Sequence, residues 1–302
     1  MIGLLPALAL LAGSSGPFDY DASRALDVRE AGVEAVAGVA VHDLSYAGPQ
    51  GRVTAYLVKP SGQGPFPAIL YVHWGQGNRS EFLSEAVMMA RLGAIGLLID
   101  APFAREDAPR EADFAHPDKQ RDMWVQGLVE MRRGIDLLVA RRDVDPKRLG
   151  YVGHSYGATL GGTLAGVERR VKAYVLMGGL PSLADFDDPL MGAFFRGTTD
   201  EQRKKYAEAM EPIAAVRFLG QAPPAAVLLQ FARHDRFISP RAADKLERAA
   251  SEPKQTRWYF DSHEFADPEA LRDRLQWLCS QLGLPDPRPL LREKVAGPSA
   301  RP

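Results

Sequence analysis

The sequence predicts an α/β protein built on a mostly parallel sheet with helices on both faces. Short apolar runs that read as buried strands recur at residues 68–72, 94–99, 149–152, 171–177 and 225–231. Between them lie segments with helical periodicity, and such strand–helix alternation is the pattern of parallel β-α units. Ahead of them, two alternating segments at 38–47 and 53–59 flank Gly48-Pro49-Gln50-Gly51, which marks an antiparallel hairpin.

Composition agrees with this class and removes others. The 302-residue chain is 46% hydrophobic and 25% charged, which excludes wholesale disorder, collagen and coiled coil. Lys and Arg number 37 against 38 Asp and Glu, so the net charge of -1 offers no attraction to nucleic acid or an anionic membrane. The single cysteine, Cys279, cannot form an internal disulfide or build a metal site alone.

In chain order, residues 2–12 are nearly all apolar and end at Gly13-Ser14-Ser15-Gly16. The length suits the apolar core of a secretory signal over residues 1–15. It falls short of the roughly 20 residues that cross a bilayer. No Lys or Arg precedes the run and Pro6 interrupts it. Two readings stay open: an export signal, with a periplasmic or secreted protein, or a short apolar helix on a cytoplasmic one. Ala68-Ile69-Leu70-Tyr71-Val72 is continuous and apolar, as a strand buried on both faces should be. A helix is predicted over 80–92, then a strand over 94–99. Residues 117–142 place Trp124, Leu128, Met131, Ile135, Leu138 and Val139 on one helical face. A strand over 149–152, a helix over 158–166 and a strand over 171–177 follow. Strands over 225–231 and 256–260 alternate with helices over 241–250 and 268–282. More than forty residues separate the strands ending at Met177 and starting at Ala225, too many for an ordinary connection. Leu190, Met191, Phe194, Phe195 and the amphipathic stretch 200–218 make this insertion, 180–222, a small helical cap. The proline-rich stretch 285–302 is expected to be loosely ordered.

The chemistry concentrates at Gly153-His154-Ser155-Tyr156-Gly157, which follows a predicted strand and opens a helix rich in small residues. This is G-x-S-x-G in its strand–turn–helix setting. Presenting the serine hydroxyl on so sharp a turn demands a strained backbone, and the two glycines remove Cβ atoms that would collide there. A serine hydroxyl needs a base, and the base needs an acid to orient it. In this architecture the partners follow in the order Ser, Asp/Glu, His, each in a loop after a later strand. His263 and Asp235 meet that condition, which makes Ser155, Asp235 and His263 the candidate triad. Among the other histidines, His42 and His116 imply no serine partner, and His154 projects away from the nucleophile. His234 is the rival base, but no acid follows it by another strand. Asp185, Asp187 and Asp188 are rival acids. The backbone N–H of Tyr156 and one from His73-Trp74-Gly75-Gln76-Gly77 would form an oxyanion hole, with Gly75 favoured and Trp74 the alternative. Trp74 is also a candidate substrate-binding residue, and Trp74, Tyr156, Phe194 and Phe195 suggest an apolar pocket under the cap. The stretch Asp100-Ala101-Pro102-Phe103-Ala104-Arg105 reads as a structural turn near that pocket.

Taken with Val72-His73-Trp74-Gly75, His234-Asp235 and Ser262-His263-Glu264-Phe265, the pentapeptide resembles the α/β-hydrolase superfamily over residues 38–283. The similarity is to its dienelactone-hydrolase-like, acetyl-xylan-esterase-like and prolyl-oligopeptidase-like branch. The resemblance implies an α/β-hydrolase fold and a serine hydrolase acting on small-molecule carboxylic esters. Dienelactone hydrolases proper carry a cysteine nucleophile, whereas this chain has Ser155, which favours ordinary esters. The residues before Gly38 are too few for the propeller of the peptidase relatives. A thioesterase, amidase or peptidase on the same triad, and a non-catalytic binding module on the same fold, are the alternatives. No metal or organic cofactor is implied, and oligomeric state is not legible.

Overall fold

The computed structural model describes residues 16–105, 116–189 and 191–296. The apolar leader, Leu190 and the last six residues of the tail lie outside them.

Nine strands form one sheet among the described residues, in the order β1-β2-β3-β5-β4-β6-β7-β8-β9. β1 (Arg29–Val36), β2 (Val39–Gly48) and β3 (Gly51–Lys59) run antiparallel, with Gly48 opposite Gly51 across the expected two-residue turn. β3 pairs antiparallel with β5 (Ile95–Ile99). From β5 onward, β4 (Phe66–Val72), β6 (Val144–His154), β7 (Val171–Met177), β8 (Ala226–Ala232) and β9 (Lys254–Tyr259) are all parallel. β1 was not anticipated. It is an edge strand exposed along nearly its whole length, so its sequence, Arg-Glu-Ala-Gly-Val-Glu-Ala-Val, carries no buried face to read.

The strand period of two divides the interior into two cores. Leu70, Val72, Tyr151, Leu229 and Phe231 face one side. There they meet α2 (Pro117–Val139), α3 (Tyr156–Val167) and α6 (Pro240–Ala249). Ile69, Tyr71, Val152 and Leu228 face the other side, against α1 (Leu83–Arg91) and α7 (Pro268–Leu282). The insertion after β7 folds as α4 (Met191–Phe194), α5 (Asp200–Met210) and three short 3-10 turns. Phe195, Tyr206, Met210 and Leu219 bury it into the first core. Thr199 starts α5 with a reciprocal capping box to Gln202.

The stretch expected to be loosely ordered after Pro285 instead contains α8 (Arg288–Ala296), whose Leu290 is buried in the second core. Pro289 sits in the first turn of that helix, where its missing N–H costs nothing, so proline content misled there. Cys279 lies on α7, buried in the second core. Burial pushes its thiol up to about 12, aided by the charge of Asp286. Among the described residues no helix is long and apolar enough to cross a membrane.

Candidate active site

The parallel strands β4, β6, β7, β8 and β9 end along one edge of the sheet, and their following loops hold the chemistry-bearing side chains. Crevices at that edge are where open α/β sheets bind ligands. β6 ends at His154, and Ser155 occupies the turn into α3 with φ 51° and ψ -101°. A non-glycine residue rarely adopts such a backbone, and here it is over-determined by its surroundings. The Ser155 N–H donates to Met177 O at 2.7 Å, while its carbonyl accepts from Thr159 N at 2.8 Å and Thr159 Oγ1 at 2.9 Å. A Cβ on Gly157 would stand 2.2 Å from Val72 O, and one on Gly153 would stand 2.5 Å from the Gly157 carbonyl. Both elbow glycines are therefore required by close backbone approach.

His263 follows β9 and is fully buried. Its Nδ1 lies 2.7 Å from Asp235 Oδ2, with both side chains 1% exposed. The other carboxylate oxygen of Asp235 accepts the N–H groups of Phe237 at 2.8 Å and Ile238 at 2.9 Å. Those two bonds fix the carboxylate, and the carboxylate fixes the imidazole with its proton on Nδ1, leaving the Nε2 lone pair free. Among the described residues Nε2 has no hydrogen-bond partner, so the bond to the Ser155 hydroxyl is not closed here. Catalytic hydrogen bonds of free enzymes often tighten only when substrate is bound. Ser155 and His263 line the same cavity of about 370 Å³, together with Trp74, Gly75 and Tyr156.

The rival residues are accounted for. Asp185 pairs with Lys245. Asp188 accepts from Ser239 Oγ and from Met191 N at 3.1 Å. His263 Nδ1 is taken by Asp235 and Nε2 bonds none of the described residues, so none of Asp185, Asp187 and Asp188 bonds the imidazole. His234 is exposed beside Phe260, and His42 pairs with Glu30 at 2.7 Å on the sheet edge.

A residue with no part in the sequence prediction bears on the choice between Trp74 and Gly75. Glu81 Oε2 accepts the Trp74 N–H at 2.8 Å, which commits that donor and leaves Gly75 as the loop's candidate. Glu81 Oε1 also lies 2.6 Å from His154 Nδ1, and His154 Nε2 lies 2.7 Å from His263 O, both hydrogen-bond distances. The Glu81 and His154 side chains thus brace the loop after β4 against the His263 loop. His73 adds a second brace: Nδ1 donates to Trp74 O at 2.6 Å and Nε2 accepts from Ala101 N at 2.9 Å. Burial lowers the pKa of His73, which keeps this bridge in its neutral form. The only trace of Glu81 in sequence is an acid eight residues after His73, a spacing with no meaning until the loop folds back.

Tyr156 opens α3, so its N–H belongs to the first helical turn and has no intrahelical acceptor. Its ring packs edge-on against Phe103 at 4.7 Å and Trp124 at 4.8 Å, and its hydroxyl abuts Gly127 of α2. Burial drives that phenol's pKa far up, so it stays neutral. Phe194 and Phe195 do reach the cavity wall, as expected; Phe194 is half exposed and Phe195 is buried.

The sequence model of the acetyl xylan esterase (AXE1) family matches residues 20–191. The chain belongs to that family. It is a family of carboxylic ester hydrolases, and Ser155, Tyr156 and Gly75 fall inside the matched stretch. Asp235 and His263 lie beyond it and rest on geometry alone. An uncharacterized protein of Mycobacterium tuberculosis is 29% identical over 204 residues, which is 66% of this chain and 63% of the relative. This chain therefore spans less than two thirds of that relative's length. Among solved structures, acetyl xylan esterase 1 from Thermoanaerobacterium sp. JW/SL YS485 superposes with TM-score 0.74 at 17% identity, over 88% of this chain and 91% of the other. The acetyl xylan esterase from Paenibacillus sp. R4 superposes with TM-score 0.73 at 18% identity, over 86% and 90%. At such identities the likeness establishes the α/β-hydrolase fold.

Proposed function

We propose that this protein is a serine carboxylic-ester hydrolase working through an acyl-enzyme. The observation that carries the reading is the buried 2.7 Å Asp235–His263 bond, held beside a serine in a strained elbow on the wall of one cavity. Ser155 Oγ attacks the ester carbonyl while His263 Nε2 takes the hydroxyl proton. Asp235 keeps Nδ1 protonated and stabilises the imidazolium as it forms. The N–H groups of Tyr156 and Gly75 receive the negative charge of the tetrahedral oxygen, assisted by the positive end of α3. Collapse breaks the ester C–O bond, and the leaving alcohol takes the proton from Nε2. Water then gives its proton to Nε2, attacks the acyl carbonyl and releases the acid, restoring Ser155.

Family membership supports the ester class, and the acyl-enzyme route rests on the triad geometry. The test is p-nitrophenyl acetate hydrolysis by a Ser155→Ala variant whose melting curve matches that of the parent. Loss of nearly all turnover is expected. An undiminished rate would overturn the mechanism.

A further inference from the structure

Resting on that esterase reading, we infer that the preferred substrates are esters bearing an apolar group well beyond acetyl, rather than acetylated sugars. The argument begins with the chemistry of the cavity wall. Among the described residues lining it, none is Asp, Glu, Lys or Arg. Phe103, Met123 and Trp124 come from the side of α2, while Leu183 and Phe194 come from the cap and Phe237 from the loop after β8. Beyond Ser155 and His263, the polar side-chain groups there are the amides of Gln76 and Gln120, the hydroxyls of Thr159, Tyr156 and Tyr206, and the indole N–H groups of Trp74 and Trp124, set among aromatic and aliphatic carbon. The Thr159 hydroxyl is already committed, donating to Ser155 O at 2.9 Å and accepting from Leu180 N at 2.9 Å.

A sugar ring brings several hydroxyl groups, each of which loses water on entering such a site and needs a partner in exchange. Most of this wall is aromatic and aliphatic carbon, which offers none. An alkyl chain or a benzene ring makes no such demand, and gains by leaving water along its whole length. Size points the same way. A cavity of about 370 Å³ lies within the roughly 300–1,000 Å³ range that encloses small organic ligands, and an acetyl group fills little of it. Acyl groups of roughly four to eight carbons, or an aromatic group of similar bulk, match that space.

The aromatic lining is also held in place. Phe237 packs on the His263 ring at 4.8 Å, and Phe194 stacks on Phe237 at 6.4 Å. The apolar wall and the base therefore share a face, so filling the wall with substrate holds the reacting carbonyl near His263.

The experiment compares kcat/KM for p-nitrophenyl esters from acetate to decanoate with release of acetate from acetylated xylo-oligosaccharides. Each well-buried methylene is worth about fourfold. A rise of at least tenfold from acetate to hexanoate is expected, carried by a falling KM. Leu183→Trp, which narrows the cavity, should lower the hexanoate-to-acetate ratio at least fivefold; Met123→Trp, on the α2 side of the cavity, serves if that variant melts early. A flat or falling series, or acetylated oligosaccharides turned over faster than the hexanoate, overturns the inference and leaves the esterase reading standing. Failure to hydrolyse any ester, acetate included, overturns both.

Discussion

Asp235→Asn isolates what the acid contributes, because the geometry dictates how the amide must sit. Oδ1 of Asp235 accepts two backbone N–H groups, from Phe237 and Ile238 at 2.8 and 2.9 Å. An Asn NH2 cannot accept them, so the amide oxygen must occupy that position and the NH2 must face His263 Nδ1. Two donors cannot face each other, so the imidazole is driven to the tautomer with its proton on Nε2. That nitrogen then cannot take the serine proton. A tautomer inversion of this kind costs about 10⁴ in kcat, or about 5 kcal/mol of transition-state stabilisation. Volume is unchanged and the two backbone bonds survive, so melting should shift by no more than a few degrees. The assay is kcat/KM on p-nitrophenyl acetate beside a thermal melt, with Asp185→Asn as the control. Asp185 pairs with Lys245, so that variant should stay within threefold of the parent. A loss below tenfold in Asp235→Asn, with melting unchanged, would refute the orientation argument.

Three further outcomes follow from the same geometry. Glu81→Ala leaves the Trp74 N–H without its acceptor and His154 Nδ1 without its hydrogen-bond partner. It should lower kcat on p-nitrophenyl acetate by about tenfold to a hundredfold with little change in KM, and Glu81→Gln should recover part of the loss. Burial alone would raise the pKa of Asp143, but bonds from Arg141 and Lys59 outweigh it and hold the carboxyl at about 2. A depressed carboxyl stabilises the fold above its unfolded pKa near 4, and that stabilisation is lost as pH falls toward 2. Asp143→Asn should therefore cost about 1–2 kcal/mol in urea melts at pH 7, and the gap from the parent should close between pH 4 and pH 2. Cys279, with its thiol at about 12 and buried on α7, should resist a disulfide reagent at pH 8 until denaturant is added.

The sequence made the parallel strands legible because each is a short apolar run bounded by turns, and the elbow legible because its chemistry is local. Five adjacent residues and a strand suffice to recognise Ser155. Asp235 and His263 could be proposed from their positions after successive strands. Position favoured Asp235 but could not dismiss Asp185, Asp187 or Asp188, since that depends on which carboxylate reaches the imidazole across the sheet. Glu81 was invisible for a related reason. Its two bonds join the loop after β4 to the end of β6, and such contacts have no sequence signature. β1 and α8 were missed because their stabilisation comes from partners in the fold. β1 pairs with β2 yet buries almost nothing, and α8 lies in a segment whose prolines favour disorder.

The central claim is that Ser155 is the nucleophile activated by His263, and covalent capture tests it most directly. Native protein would be treated with a fluorophosphonate probe, and the intact mass and digested peptides measured. The account predicts one label per chain on the peptide containing Ser155, absent in Ser155→Ala and slowed at least a hundredfold in His263→Ala. Labelling elsewhere, or none in a protein that still hydrolyses p-nitrophenyl acetate, would contradict it.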